Sequence, residues 1–134
     1  MTEQYIKALV REYPSISEVW LFGSRANDCA RAESDWDYLA FADDDTLPDL
    51  SRDTRFHIKG IDLMIVVDGI RFAKPWREDG ELQKTGTLST EIADGGLCWR
   101  VIGPGEAQYR ATKPAGTFAA EVLEGQRARR IYPP

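Results

Sequence analysis

The segment that decides the fold, residues 21–41, reads LFGSRANDCARAESDWDYLAF. Its first residues complete an apolar, β-forming run, which ends at Gly23. We therefore predict a buried strand over residues 18–22 and a short helix that begins at Ser24. Because the first N–H groups of a helix have no partner within it and lie at its positive end, this junction favours an anion.

Three consecutive residues at this junction have the chemistry to hold a phosphate. Gly23 lets the main chain approach a phosphate closely, Ser24 adds a hydroxyl donor and Arg25 adds a cation. Many junctions of this kind only turn the chain, and Arg25 also fits an ordinary solvated helix residue. The junction therefore suggests a phosphate site but does not establish one by itself.

Carboxylates within apolar strands form a second group of candidate site residues. In the predicted second strand, residues 34–41, the period of two puts Asp35 and Asp37 on one face, about 6.5–7 Å apart. Asp62 interrupts the apolar run of the predicted third strand, residues 55–68. Burying an anion is costly unless hydrogen bonds, a counter-charge or a metal offsets it. Since Mg²⁺ prefers oxygen ligands, the three aspartates predict a metal site close to the glycine–serine junction.

The flanking sequence predicts further elements of a small domain that mixes helices and strands. Apolar residues at three- and four-residue spacing indicate an amphipathic helix over residues 2–12. The second and third strands, joined by an acidic loop of about a dozen residues, would most simply pair antiparallel. Beyond them we predict a short helix over residues 88–93, a strand over 97–102 and a helix-compatible stretch over 117–130.

Size and charge limit the classes of function. The chain has 134 residues, which suits one domain, and a net charge of −5, which gives no general attraction to a nucleic acid backbone. A nucleic acid partner is therefore not expected. The N-terminus lacks the pattern of a signal peptide, and no stretch approaches the roughly 20 apolar residues that span a bilayer. We expect a cytoplasmic protein without a membrane partner.

The motif resembles that of the DNA polymerase beta-like nucleotidyltransferase superfamily, which is Gly-Ser, ten residues, then Asp-x-Asp. Here the ten residues 25–34 separate Gly23-Ser24 from Asp35-Trp36-Asp37. In this family a third metal-binding carboxylate lies on a later strand, and Asp62 in Ile-Asp-Leu matches it. One departure is Asn27-Asp28, which stands where small bacterial members commonly have Arg-Gly and so removes a cation near the triphosphate.

The resemblance implies an α+β fold with a mixed β-sheet, flanking helices and a polymerase beta-like core. We assign residues 1–112 to a nucleotidyltransferase domain and residues 113–134 to a C-terminal tail of helical composition. The resemblance also implies a magnesium-dependent enzyme that uses two Mg²⁺ ions and an NTP, with ATP as the expected donor. It would transfer a nucleoside monophosphate to a hydroxyl of a protein or small molecule. On this basis the expected catalytic and metal-binding residues are Asp35, Asp37 and Asp62, and the expected nucleotide-binding residues are Gly23, Ser24 and Arg25.

Two alternatives remain open from the sequence. One is a module that binds NTP or a partner protein with little turnover, as antitoxins of this superfamily neutralise a partner encoded alongside; Asn27-Asp28 leaves room for it. The other is a plain globular domain whose aspartates are structural. The acceptor site would come from residues 70–134, from a second copy or from a partner. Within that region, Lys74, Arg77 and Lys84 fit either phosphate contact or a solvated surface.

Overall fold

A computed structural model describes residues 2–76, 85–89, 97–111 and 126–134. None of the helices in these ranges is both long and apolar enough to cross a membrane. The elements described are α1 (Thr2–Glu12), β1 (Glu18–Phe22), a 3₁₀ turn (Ser24–Ala26), β2 (Trp36–Ala42), α2 (Thr46–Ser51), a 3₁₀ turn (Thr54–Phe56), β3 (Ile61–Val67), β4 (Arg71–Ala73), β5 (Thr85–Ser89), β6 (Leu97–Gly103), β7 (Glu106–Ala111) and β8 (Gln126–Tyr132).

Helix α1 has the predicted bounds, because its apolar residues share one face. Tyr5, Ile6 and Leu9 are buried and pack into a core with residues of the sheet. The Tyr5 hydroxyl donates a hydrogen bond to the main-chain oxygen of Phe56 at 2.8 Å. The helix is thereby fixed both to the sheet and to the connection that follows β2.

Strands β2 and β3 pair in parallel, so the predicted antiparallel pairing is wrong. Residues 43–60 are not a plain loop, because they contain α2 and the second 3₁₀ turn, which return the chain to the start of β3. Parallel neighbours need such a crossover. The buried side chains of Leu50 and Phe56 hold this crossover against the core. Strand β3 begins at Ile61 rather than in the predicted stretch from Arg55, which leaves enough chain for the crossover.

The sheet closes on itself, because β8 pairs with both β7 and β1. Among the described strands, β2–β3 and β5–β6 are parallel pairs and the other pairings are antiparallel. The mixed sheet is therefore confirmed. Strands dominate over helices within the described ranges, so this α+β fold is richer in sheet than the sequence indicated.

Closure gives the sheet an outer and an inner face, and both faces carry apolar residues. On the outer face, α1 and α2 pack against side chains such as Leu21 and Leu63. The inner face carries a second core that includes Leu39, whereas Met64 is partly buried against it. Successive side chains of a strand alternate between faces, so the residue two positions before Leu39 or Met64 also faces inward. This places Asp37 and Asp62 together at one end of the inner face.

The predicted helices in the second half are strands where the structure describes them. Leu88 lies in β5, while residues 90–93 are outside the described ranges. The predicted strand at 97–102 is confirmed by β6. Residues 126–130 lie in β8, so that part of the predicted helix over 117–130 is wrong, and 117–125 are outside the described residues. The division at residue 112 stays a prediction.

The sequence does not predict strand β8, because its composition suits a helix. In the structure, however, burial along β8 alternates with a period of two residues. Gln, Arg and Ala are good helix formers, so their intrinsic preference points away from a strand. Ala128, however, is buried, and Arg127 and Arg129 on either side are exposed. Pairing with two neighbouring strands supplies the hydrogen bonds that override the local preference.

Replacing Ala128 by Asp tests the place of β8 in the sheet. Ala128 is 2% exposed and lies opposite Ala107, so a carboxylate there is buried away from water. We expect the free energy of unfolding, measured by urea denaturation, to fall by about 3–5 kcal/mol. The control Gln126→Asp, at an exposed position of the same strand, should change it by less than about 0.5 kcal/mol. Similar small effects of both substitutions would contradict the strand assignment.

Candidate functional site

The turn after β1 requires glycine for two separate reasons. Gly23 has φ 73° and ψ −160°, a conformation that residues with a side chain adopt only with strain. A Cβ atom built on Gly23 would also lie 2.1 Å from Oδ2 of Asp37. The main chain at Gly23 thus comes close to the Asp37 carboxylate, whereas its approach to a phosphate stays a prediction.

The predicted helix after Gly23 is only one 3₁₀ turn, Ser24–Ala26. Asp28 adopts φ 55°, in the left-handed region, so the chain cannot continue as a helix. A single turn carries too few aligned peptide groups to create an appreciable dipole, so the helix-terminus argument for anion binding does not hold here. The donors left for an anion are local ones, such as the Ser24 hydroxyl.

Arg25 holds the loop between β1 and β2. Its guanidinium donates to the main-chain oxygens of Ala32 at 3.3 Å and Ser34 at 3.0 Å. The same group lies 4.6 Å from the ring centroid of Trp36, a cation–π contact. These contacts give Arg25 a structural role beside the site. Its contact with a nucleotide stays a prediction.

Asp37 and Asp62 form a carboxylate pair across β2 and β3. They are partners in the parallel register, so their side chains lie next to each other at the same end of the inner face. Burial, followed by the negative charges of Asp62 and Asp35, raises the pKa of Asp37 to about 6. Burial and the two neighbouring carboxylates thus disfavour the ionised form of Asp37, and a cation would offset this cost.

Lys74 provides a counter-charge inside the site. Its Nζ lies 2.7 Å from Oδ1 of Asp62, and its side chain is 26% exposed. The charge of Lys74 lowers the pKa of Asp37, although burial and the neighbouring carboxylates have the larger, opposite effect. Lys74 is thus partly buried in an ion pair rather than fully solvated, and its contact with a phosphate stays a prediction. It lies beside Asp62 because β4 ends at Ala73, and this short strand was not predicted.

Asp35 lies at the margin of this group. It precedes the first residue of β2 and is exposed, and its charge contributes to the raised pKa of Asp37. Within the part of the chain that the structure describes, no three Asp, Glu, His or Cys side chains come close enough together to hold one metal ion. Of the three predicted metal ligands, the structure thus pairs Asp37 with Asp62.

The Asp37–Asp62 pair nevertheless fits a hard divalent cation. Mg²⁺ is commonly held by one or two carboxylates, while waters and substrate phosphates complete its coordination. The pair offers oxygen ligands, and the negative charge of Asp62 contributes, after burial, to the raised pKa of Asp37. The chemistry of the donors therefore suits magnesium. The full ligand set of three aspartates stays a prediction.

Two residues contact the glycine turn although the sequence does not assign them to the site: Tyr109 and Asn27. The Tyr109 hydroxyl accepts a hydrogen bond from the Gly23 N–H at 2.7 Å. Asn27, which the sequence presents only as a lost cation, donates from Nδ2 to the Gly23 oxygen at 2.8 Å. No local pattern identifies Tyr109, because it reaches the turn only through closure of the sheet.

Comparison with known proteins adds one finding to this geometry. The model of the family described as "Polymerase beta, Nucleotidyltransferase" matches residues 4–105. The match covers most of the chain and includes the glycine turn and all three aspartates. No curated protein and no solved structure shows a significant match to the chain.

Proposed function

Because the chain belongs to the polymerase beta nucleotidyltransferase family, we propose that it transfers a nucleoside monophosphate from an NTP to a hydroxyl acceptor. The observation that carries this proposal is the contact of Gly23 with Asp37. A turn that only glycine fits lies against a half-buried carboxylate pair. Nucleotidyl transfer requires phosphate-binding groups to lie beside cation-binding groups. The proximity of the Gly23 turn to the Asp37–Asp62 pair supports this arrangement.

Each group of the site has a distinct proposed role. The Ser24 hydroxyl and the main chain of the Gly23-Ser24 turn hold the β- and γ-phosphates, with ATP as the donor. Asp35, Asp37 and Asp62 hold two Mg²⁺ ions. When bound, Mg²⁺ supplies stabilisation of charge on the pyrophosphate leaving group and lowers the pKa of the attacking hydroxyl.

The chain's own side chains prepare the site for this reaction. Lys74 orients Asp62 through their ion pair, so one carboxylate oxygen has a fixed direction. Phe22 lies opposite Asp37 in the register of β1 and β2 and contacts Tyr109 edge-on, with 5.7 Å between ring centroids. These aromatic neighbours reduce water on one side of the pair, and charges interact more strongly where water is reduced.

A second candidate function is a module that binds an NTP or a partner protein with little turnover. One observation favours it. The guanidinium of Arg25 is engaged by the main chain of its own loop. The site therefore has fewer cations available to a triphosphate than the motif alone suggests. Mg²⁺-dependent binding of NTP without transfer to any acceptor would support this candidate.

The test of the proposed function is transfer of label from ATP in the presence of MgCl₂ and cell extract. We expect a labelled acceptor with the wild-type protein and at least about a hundredfold less label with Asp62→Asn, because a ligand of the cations is lost. The control Asp68→Asn changes an exposed aspartate just after the far end of β3 and should retain transfer. Equal labelling by Asp62→Asn and the wild type would refute the assignment of Asp62.

A further inference from the structure

Gly23 is held by side chains through both of its main-chain polar groups. Its N–H donates to the Tyr109 hydroxyl at 2.7 Å, and its oxygen accepts from Nδ2 of Asn27 at 2.8 Å. Tyr109 and Asn27 thus hold the turn that lies against Asp37 from two sides, and we call this pair of side chains the clamp.

Asn27 ties this clamp to strand β8. Its Nδ2 also donates to the main-chain oxygen of Arg127 at 3.0 Å, and its Oδ1 accepts the Arg127 N–H at 2.8 Å. This pair of bonds to one residue fixes the plane of the amide, so that the same amide group also reaches Gly23. An arginine at position 27 has no acceptor for the Arg127 N–H and could not make this connection.

Tyr109 ties the clamp to strand β7 and to the inner core. Its side chain is 4% exposed. Its ring lies 5.7 Å from the ring centroid of Phe22 and 6.1 Å from that of Trp99. Packing on both rings fixes the position of the hydroxyl. The location of Gly23 is thus set by strands that are distant in sequence, through a side chain that cannot move without disturbing the core.

We propose that Tyr109 and Asn27 are positioning residues that set the nucleotide affinity of the Gly23-Ser24 turn by holding it against Asp37. This inference rests on the proposed function and deepens it. Because the Gly23 N–H already has an acceptor in Tyr109, Gly23 contributes its close main-chain approach to the triphosphate, and Ser24 contributes the hydrogen bonds. The clamp also gives β7 and β8 a role in the site.

The variant Tyr109→Phe tests the clamp, because it keeps the ring and removes the hydroxyl. We expect the dissociation constant for ATP with MgCl₂, measured by calorimetry, to rise about tenfold, the scale of one lost hydrogen bond. In transfer assays the KM for ATP should rise by a similar factor while kcat stays nearly constant, since ground-state and transition-state binding weaken together. Hydrogen exchange at the Gly23 amide should become faster.

The matched control is Tyr5→Phe, which removes a buried hydroxyl that donates to Phe56 on the outer face, away from the turn. It should leave the ATP affinity and the Gly23 exchange rate unchanged. Asn27→Ala is a second test variant should Tyr109→Phe fail to fold, and it should weaken ATP binding in the same way.

The outcomes separate the inference from the proposed function. Binding of ATP by the wild type with unchanged affinity in Tyr109→Phe and Asn27→Ala would overturn the inference alone. Equal losses of affinity in Tyr109→Phe and Tyr5→Phe would also overturn it, because they would indicate a general loss of stability. Absence of ATP binding in the wild type would overturn the proposed function and the inference with it.

Discussion

Replacing Asp37 by Asn is expected to reduce nucleotidyl transfer by about three orders of magnitude, because several kcal/mol of stabilisation from a bound cation is lost. Asn keeps the size of Asp37 and one oxygen acceptor, so packing against Gly23 should survive. The loss should therefore appear in transfer, measured with labelled ATP and MgCl₂, rather than in folding.

The same substitution should stabilise the fold. The pKa of Asp37 is raised from 3.8 to about 6, so between these values the folded state binds more protons than the unfolded state. Stability therefore falls as pH rises through this window, and above about pH 6 the full cost of the ionised carboxylate is present. Asn removes this cost. We expect a gain of about 1–2 kcal/mol at pH 7.5, after allowance for solvent screening of a half-buried group.

Urea denaturation with EDTA at pH 5 and pH 7.5 measures this gain, which should be smaller at the lower pH. Asp44→Asn is the control, since it makes the same chemical change at an exposed position before α2. It should alter neither transfer nor the pH dependence of stability. Full transfer activity in Asp37→Asn would refute the role assigned to this carboxylate.

Replacing Gly23 by Ala is the second substitution with a large expected effect. The new Cβ would lie 2.1 Å from Oδ2 of Asp37, and the positive φ adds backbone strain. We expect the free energy of unfolding to fall by about 2–4 kcal/mol, of which about 1–2 kcal/mol is the strain. ATP binding should be lost, because either the turn or the Asp37 carboxylate must move, and the two groups would no longer lie side by side.

Gly69→Ala separates the cost of backbone strain from the cost of the clash with Asp37. Gly69 has φ 76°, close to that of Gly23, but a Cβ there would meet nothing within 4 Å. This control should show the loss of stability that comes from strain while it retains ATP binding. If both substitutions weakened ATP binding equally, the contact between Gly23 and Asp37 would have no special role.

The parts of the site that could be predicted from the sequence are local in the chain. The glycine turn at residue 23 and the two-residue spacing of Asp35 and Asp37 are properties of one strand and the turn before it. Asp62 was found because a carboxylate in an apolar run is conspicuous. Helix α1 and strand β1 also follow from short-range patterns of apolar residues.

The parts that could not be predicted depend on contacts between distant segments. The parallel pairing of β2 and β3 depends on how α2 packs, and β8 becomes a strand because two neighbours pair with it. Tyr109 and Lys74 enter the site through that closure and through β4. Asn27 illustrates the same limit, because its position looks like a lost cation until the contact with Arg127 is known.

The most direct test of a nucleotide and magnesium site at Gly23 and Asp37 is thermal unfolding of the wild type and of Asp37→Asn with ATP. A ligand that binds only the folded state stabilises it by about 2.7 kcal/mol at one hundred times its dissociation constant. We predict that ATP with MgCl₂ raises the Tm of the wild type, and that ATP with EDTA raises it much less. In Asp37→Asn, MgCl₂ should add no stabilisation. An equal rise in Tm with MgCl₂ and with EDTA, or a magnesium-dependent rise retained in Asp37→Asn, would contradict the proposed site.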